Sequence, residues 1–141
     1  MILTLPNGVS VTLKPKPWWL FWVARGYTIT LSPTIYTEQY MIDTPGANMD
    51  VWMHESVHLK QQASNPFWFY LKYAFSRKFR YESELEAYTY QLHYYQSLGL
   101  SGLEGQVEYM ASILSSVNYV WCVSKDKALK DLTAAITPVA D

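Results

Sequence analysis

Hydrophobic positions in the first third of this chain alternate with polar ones, which is the pattern of β-strands with one buried face. Ile2–Leu5 and Val9–Leu13 alternate on either side of an Asn-Gly dipeptide, the pair that favours a tight hairpin turn. Tyr27–Leu31 and Thr34–Thr37 alternate in the same way around a Ser-Pro break. The pattern therefore predicts a small N-terminal β-sheet.

From residue 45 onward the apolar positions recur every three to four residues, which indicates amphipathic helices. The predicted helices lie near residues 45–64, 66–76, 78–98, 102–122 and 125–136. Thr44-Pro45 is a start signal for the first helix, and Ser101 to Glu104 reads as a capping box for the fourth. A small sheet followed by a helical bundle predicts an α+β fold, with residues 1–141 forming a single domain.

Composition excludes several classes of protein. Hydrophobic residues make up 50% of the chain and charged residues 16%, so intrinsic disorder is not expected. The net charge of −1 argues against a dedicated nucleic-acid binder, which needs clustered Lys and Arg. Cys122 is the single cysteine, so no intramolecular disulfide is expected. The start lacks the basic and apolar regions of a signal peptide, and we expect a cytoplasmic protein.

Two aromatic segments, at residues 18–23 and 67–71, are strongly apolar but too short to span a bilayer. Burial in the core is the commonest fate of such segments; peripheral membrane contact and a sugar-stacking platform are the alternatives. The basic run at residues 77–80 is interpreted first as a helix junction and second as a site for an anionic ligand.

The chemistry of the chain is concentrated at residues 54–58, which read His-Glu-Ser-Val-His. On a helix, His54 and His58 lie one above the other and can bind one Zn²⁺ at about 2.0–2.1 Å from each ring. Glu55 lies roughly 100° around the helix and can act as general base toward a water activated by the metal. The alternative is a helix that exposes two polar His on a solvated face. Gln61 falls on the same side, either as a supporting residue for the metal site or as an ordinary exposed Gln.

A catalytic zinc site has three protein ligands, so one more must come from elsewhere. The helix predicted at 78–98 carries three carboxylates beside an apolar stripe that begins at Tyr81. At 100° per residue, Glu84 lies about 60° from the centre of the stripe, Glu82 about 100° and Glu86 about 140°. Glu84 is therefore the carboxylate nearest the buried face, and Glu82 is its rival, because a modest rotation of the packed helix would absorb the difference of about 40° between them. His93 is the next candidate if none of the three carboxylates is the ligand.

His54-Glu55-x-x-His58 followed by Glu84-x-Glu-Ala-Tyr88 resembles the gluzincin branch of zinc metallopeptidases. The resemblance covers about residues 50–95 and is shared with small zincin-like proteins of phages and bacteria. It implies a minimal zincin fold in which Glu84 is the third ligand. The family has an Asp, which supports the ligands, where this chain has Tyr88, so Tyr88 is only a candidate for that role.

The function expected from these residues is that of a zinc-dependent metallopeptidase. In the zincin plan, a sheet edge near Ile35–Thr37 would pair with a peptide substrate. One alternative is a peptidoglycan hydrolase with the same zinc site, for which the many Trp and Tyr would suit sugar stacking. Another is a non-enzymatic zincin-fold module for assembly or regulation.

Overall fold

The computed structural model describes residues 1–21, 27–120 and 122–137, and it is an α+β structure, as the patterns predict. The chain divides into two compact units, Met1–Pro66 and Phe67–Asp141. The first unit contains β1 (Ile2–Thr4), β2 (Ser10–Pro15), α1 (Trp18–Phe21), β3 (Ile29–Leu31), β4 (Thr34–Thr37), α2 (Gln39–Asp43), a 3-10 turn (Pro45–Asn48) and α3 (Met49–Gln62). The second contains α5 (Arg77–Ser97), α6 (Glu104–Leu114), a 3-10 turn (Val117–Tyr119) and α7 (Lys125–Ile136), and α4 (Pro66–Phe75) begins at the boundary.

The sheet of the first unit has the strand order β1-β2-β4-β3. The predicted hairpin is present: β1 and β2 are antiparallel, and Gly8 takes the positive φ of 80° that the turn between them requires. Along β2, Val11 and Leu13 are buried and their neighbours point outward, which confirms the alternation. Helix α3 packs against β3.

The prediction that Ile35–Thr37 forms a sheet edge is wrong. These residues belong to β4, which pairs in parallel with β2 and antiparallel with β3. The edges of the sheet are β1 and β3. The sequence could not reveal this order, because the β2–β4 pairing joins segments about twenty residues apart in the chain.

The core of the second unit lies where α5, α6 and α7 meet. The predicted stripe of α5 is on the inside: Tyr81 and Leu92 are buried in this core, together with Met110, Leu114 and Leu132.

Two predicted helix starts are wrong in detail. The side chain of Thr44 does not cap the helix; its hydroxyl donates to the carbonyl of Tyr40. Ser101 is not a cap either, since the N-cap of α6 is Leu103. Gly102, with a φ of 72°, turns the chain before the helix begins, and so Ser101 lies outside it.

Most of the aromatic segments are not in the core. Trp18 and Trp19 are exposed, as are Phe67, Trp68 and Leu71. Leu20 and Phe69 are the buried members, and residues 22–23 lie outside the described part of the chain. None of the helices within the described ranges combines the length and apolarity needed to cross a bilayer.

Candidate metal centre

Helix α3 buries the whole turn that carries the His-Glu-x-x-His motif. Every residue from Trp52 to His58 is buried, and His54 and His58 are each 7% exposed. Their rings meet edge to face with centroids 5.1 Å apart, as expected of side chains one turn apart on one face. The alternative of two His on a solvated face is therefore wrong.

The His58 imidazole is oriented by its neighbour Gln61. The Nδ1 atom of His58 lies 2.9 Å from Oε1 of Gln61, and an amide oxygen only accepts hydrogen bonds. Nδ1 therefore carries the proton, and Nε2 keeps the lone pair that a metal needs. Histidine ligands in metal proteins are commonly oriented by such a hydrogen bond from the ring nitrogen that does not bind the metal. A supporting role for Gln61 in metal binding stays a prediction.

Glu55 is buried, at 8% exposure, and it is held from the edge strand of the sheet. The hydroxyl of Thr30, in β3, donates to its Oε2 atom at 2.5 Å. Strand β3 is held in turn by Gln62, the last residue of α3, which is 2% exposed. Gln62 donates to the carbonyl of Thr30 at 3.0 Å and accepts from the amide of Ser32 at 2.8 Å.

In the second unit, Glu84 is the buried carboxylate of α5, as the helical wheel predicts. It is 3% exposed, whereas Glu82 and Glu86 are exposed, and Glu82 lies 3.8 Å from Lys78. The hydroxyl of Tyr73, in α4, donates to Oε1 of Glu84 at 2.5 Å. A carboxylate held in this way has a fixed direction, which a metal ligand requires.

Tyr119 adds a second half-buried phenol near Glu84. Burial raises the pKa of Tyr119 well above its ordinary value, and the negative charge of Glu84 raises it further. Tyr119 is therefore a neutral hydroxyl at physiological pH. The hydroxyl of Tyr88 lies 3.2 Å from that of Tyr119. Whether Tyr88 supports the ligands, in place of the family's Asp, stays a prediction.

Ligand atoms of His54, His58 and Glu84 all lie within 4.8 Å of one another, and all three residues are buried. Two imidazole nitrogens and one carboxylate oxygen form a donor set that zinc accepts, and a catalytic site needs three protein ligands. The group could thus hold a metal ion, and the residues fit the zinc that the sequence predicts.

His93, the remaining candidate ligand, and the single cysteine, Cys122, have other partners. His93 is exposed, and its Nε2 atom lies 2.9 Å from the carbonyl of Ala135, so its rank as the next candidate ligand is not supported. Cys122 is half-buried beside the core of the second unit, and its thiol donates to the carbonyl of Tyr119.

Sequence reasoning missed Thr30 and Tyr73, which donate hydrogen bonds to Glu55 and Glu84. It also missed Gln62, which holds β3, and Tyr119, whose hydroxyl lies 3.2 Å from that of Tyr88. Thr30 lies 25 positions before its partner Glu55, and Tyr73 lies 11 before Glu84. No local sequence pattern predicts hydrogen bonds between residues so far apart in the chain. The burial of Gln62 at the end of α3 is likewise visible only in the folded chain.

Comparison with known proteins adds no relatives: no protein-family model, curated protein or solved structure matches the chain. The resemblance to gluzincins therefore rests on the motif residues themselves.

Proposed function

We propose that this protein is a zinc-dependent hydrolase of the peptidase kind. His54, His58 and Glu84 hold the ion, and Glu55 is the general base. The observation that carries the proposal is the burial and mutual approach of the three ligands, each from the position that the motif assigns to it. The hydrogen bond between His58 and Gln61 supports it, because it leaves Nε2 of His58 as the atom that binds metal.

Bound zinc supplies Lewis acidity, which polarises a carbonyl and makes water nucleophilic near neutral pH. The task of Glu55 is to take a proton from the attacking water and pass it to the leaving nitrogen. Because Thr30 holds Oε2, we assign that proton to Oε1. Burial of Glu55 excludes bulk water that would compete for this transfer.

A peptidoglycan amide substrate is the second candidate, favoured by one observation at the edge strand β3. The carbonyl of Thr30 and the amide of Ser32 are the kind of outward groups to which an added peptide strand would bind. Gln62 already binds both. Strand addition is blocked at these two positions, which favours a substrate recognised in some way other than as an extended peptide.

The experiment loads the protein with zinc at neutral pH and compares wild type with Glu55→Gln, Glu84→Gln and the matched control Glu86→Gln. We expect about one zinc per chain in wild type, in Glu55→Gln and in Glu86→Gln, and a large loss of affinity in Glu84→Gln alone. Equal and small effects at both Glu84 and Glu86 would refute the ligand assignment.

Activity is screened on a peptide library and on purified peptidoglycan, with Glu55→Gln as the negative control. Loss of the general base should reduce turnover by about 10²–10⁴-fold while zinc is retained. Activity that survives unchanged in Glu55→Gln would show that Glu55 is not the base. Stoichiometric zinc without turnover on either substrate would favour the non-enzymatic module.

A further inference from the structure

Helix α4 exposes an apolar face. Phe67 is 71% exposed, Trp68 54%, Leu71 37% and Phe75 84%. At about 100° per residue, these four positions fall within an arc of roughly 100°. They form one continuous stripe along the ten residues of the helix.

The opposite side of α4 fixes this orientation. Phe69 is buried, stacks on Tyr73 with ring centroids 5.7 Å apart, and meets Phe79 of α5 edge to face at 5.5 Å. The helix thus has an apolar anchored side and an apolar exposed side. The exposed stripe presents on the order of 500 Å² of apolar side chain, since a large aromatic side chain offers about 150–250 Å². An apolar patch of that size usually marks a binding surface.

Positive charge borders the stripe. Lys72, Arg77 and Lys78 are exposed, and the chain has no Asp or Glu between positions 63 and 81. Lys78 lies 3.8 Å from the carboxylate of Glu82, and both side chains are open to solvent. Such a surface pair contributes little and does not neutralise the cluster.

The combination of an apolar stripe and a basic border favours a lipid surface over a second copy of the chain or a sugar. A second copy of the chain, docked about a two-fold axis, would bring the basic clusters together. The stripe is also smaller than the roughly 800 Å² per partner of a stable protein interface. A sugar would need a flat aromatic platform, whereas the rings of Phe67 and Trp68 meet edge to face at an interplanar angle of 64°. An anionic membrane surface accepts both features, because apolar rings enter the headgroup region while Lys and Arg meet the lipid charge.

We propose that α4 and the start of α5 form a peripheral docking surface for anionic membranes. Its apolar members are Phe67, Trp68, Leu71 and Phe75, and its basic members are Lys72, Arg77 and Lys78. The surface holds the protein on the membrane without crossing it. The inference does not depend on the proposed hydrolase activity.

The test is flotation of the full chain with two kinds of vesicle, pure phosphatidylcholine and a mixture containing about 30% phosphatidylglycerol. We expect binding to the anionic vesicles, weaker binding to the neutral ones, and release at high salt. Phe67→Ser with Phe75→Ser should abolish binding, whereas the exposed aromatic Tyr109→Ser, in α6, should leave it unchanged.

Charge is tested separately with Arg77→Gln and Lys78→Gln, against Lys125→Gln and Lys130→Gln as a control with the same change in charge. The first pair should weaken binding by about fivefold per residue, and the control pair by much less. Zinc content, measured on every variant, reports on the metal centre independently. Sedimentation of the free protein identifies a dimer.

Absence of binding to anionic vesicles would overturn the proposal. Equal binding to neutral vesicles, or equal loss in the two charge variants, would also overturn it. A dimer that dissociates in the Phe67/Phe75 variant would assign the surface to a second copy. Binding to peptidoglycan but not to vesicles would assign it to a sugar polymer.

Discussion

Gln61 and Gln62 are neighbours on α3 whose side chains have different partners, and exchanging each for Met separates their roles. Met has nearly the shape of Gln but offers no amide. Gln61→Met removes the acceptor for Nδ1 of His58, and Gln62→Met removes the two hydrogen bonds that hold β3. The first change should act on the metal, and the second on stability.

The size of the Gln62 effect follows from the groups left behind. The carbonyl of Thr30 is buried, so loss of its partner carries most of the desolvation cost; the amide of Ser32 is half-buried and can recover some water. Together the two losses cost roughly 2–4 kcal/mol. Burial of the apolar Met side chain stabilises the folded state by on the order of 1 kcal/mol. The net expectation is a loss of about 1–3 kcal/mol in the free energy of unfolding.

The assay is urea unfolding of the metal-free protein, in chelator, followed by hydrogen exchange of the β3 amides. With a urea slope of about 1–3 kcal/mol per molar, Gln62→Met should lower the midpoint by roughly 1 M and speed exchange in Ile29–Leu31. Gln61→Met should leave both near wild type but reduce zinc affinity about 10–100-fold. Equal shifts in the two variants, or an unchanged midpoint for Gln62→Met, would refute the reasoning.

Two further predictions concern the general base and the acid stability of the helical unit. Thr30→Val keeps the shape of the side chain but removes the donor to Glu55; it should lower kcat about 10–100-fold with KM and zinc content unchanged, and Thr30→Ser should restore turnover. A loss that Thr30→Ser does not restore would indicate a packing role instead. Hydrogen bonds from Lys127 and then from Tyr81 lower the pKa of Asp131 below its ordinary value of 3.8. The ionised carboxylate therefore stabilises the fold above pH 3.8, and this contribution is lost as the pH falls through the lowered pKa of the folded state. Asp131→Asn should therefore flatten the acid end of a stability-versus-pH curve below about pH 4; an unchanged curve would argue against this linkage.

The helices show which features a local sequence pattern can predict and which it cannot. The apolar stripe of α5 fixes which side of that helix is buried, and with it the choice of Glu84 over Glu82 and Glu86. The end of α6 was misplaced by several residues: the predicted helix runs to 122, but the helix ends at Leu114. Val120 takes a φ of 58°, a left-handed conformation that no helical period in the sequence announces.

The sequence by itself determined the α+β order, the hairpin and the two histidines on one helical face, because each depends on residues a few positions apart. Only the tertiary structure decided that β4 is an inner strand, that Thr30 holds Glu55, and that α4 turns Phe67 and Phe75 outward. Each of these depends on which distant segments pack together. Hydrophobic periodicity predicts that one face of a helix is apolar, but it does not predict which segment covers that face. Whether a given aromatic residue is buried or exposed is therefore visible only in the folded chain.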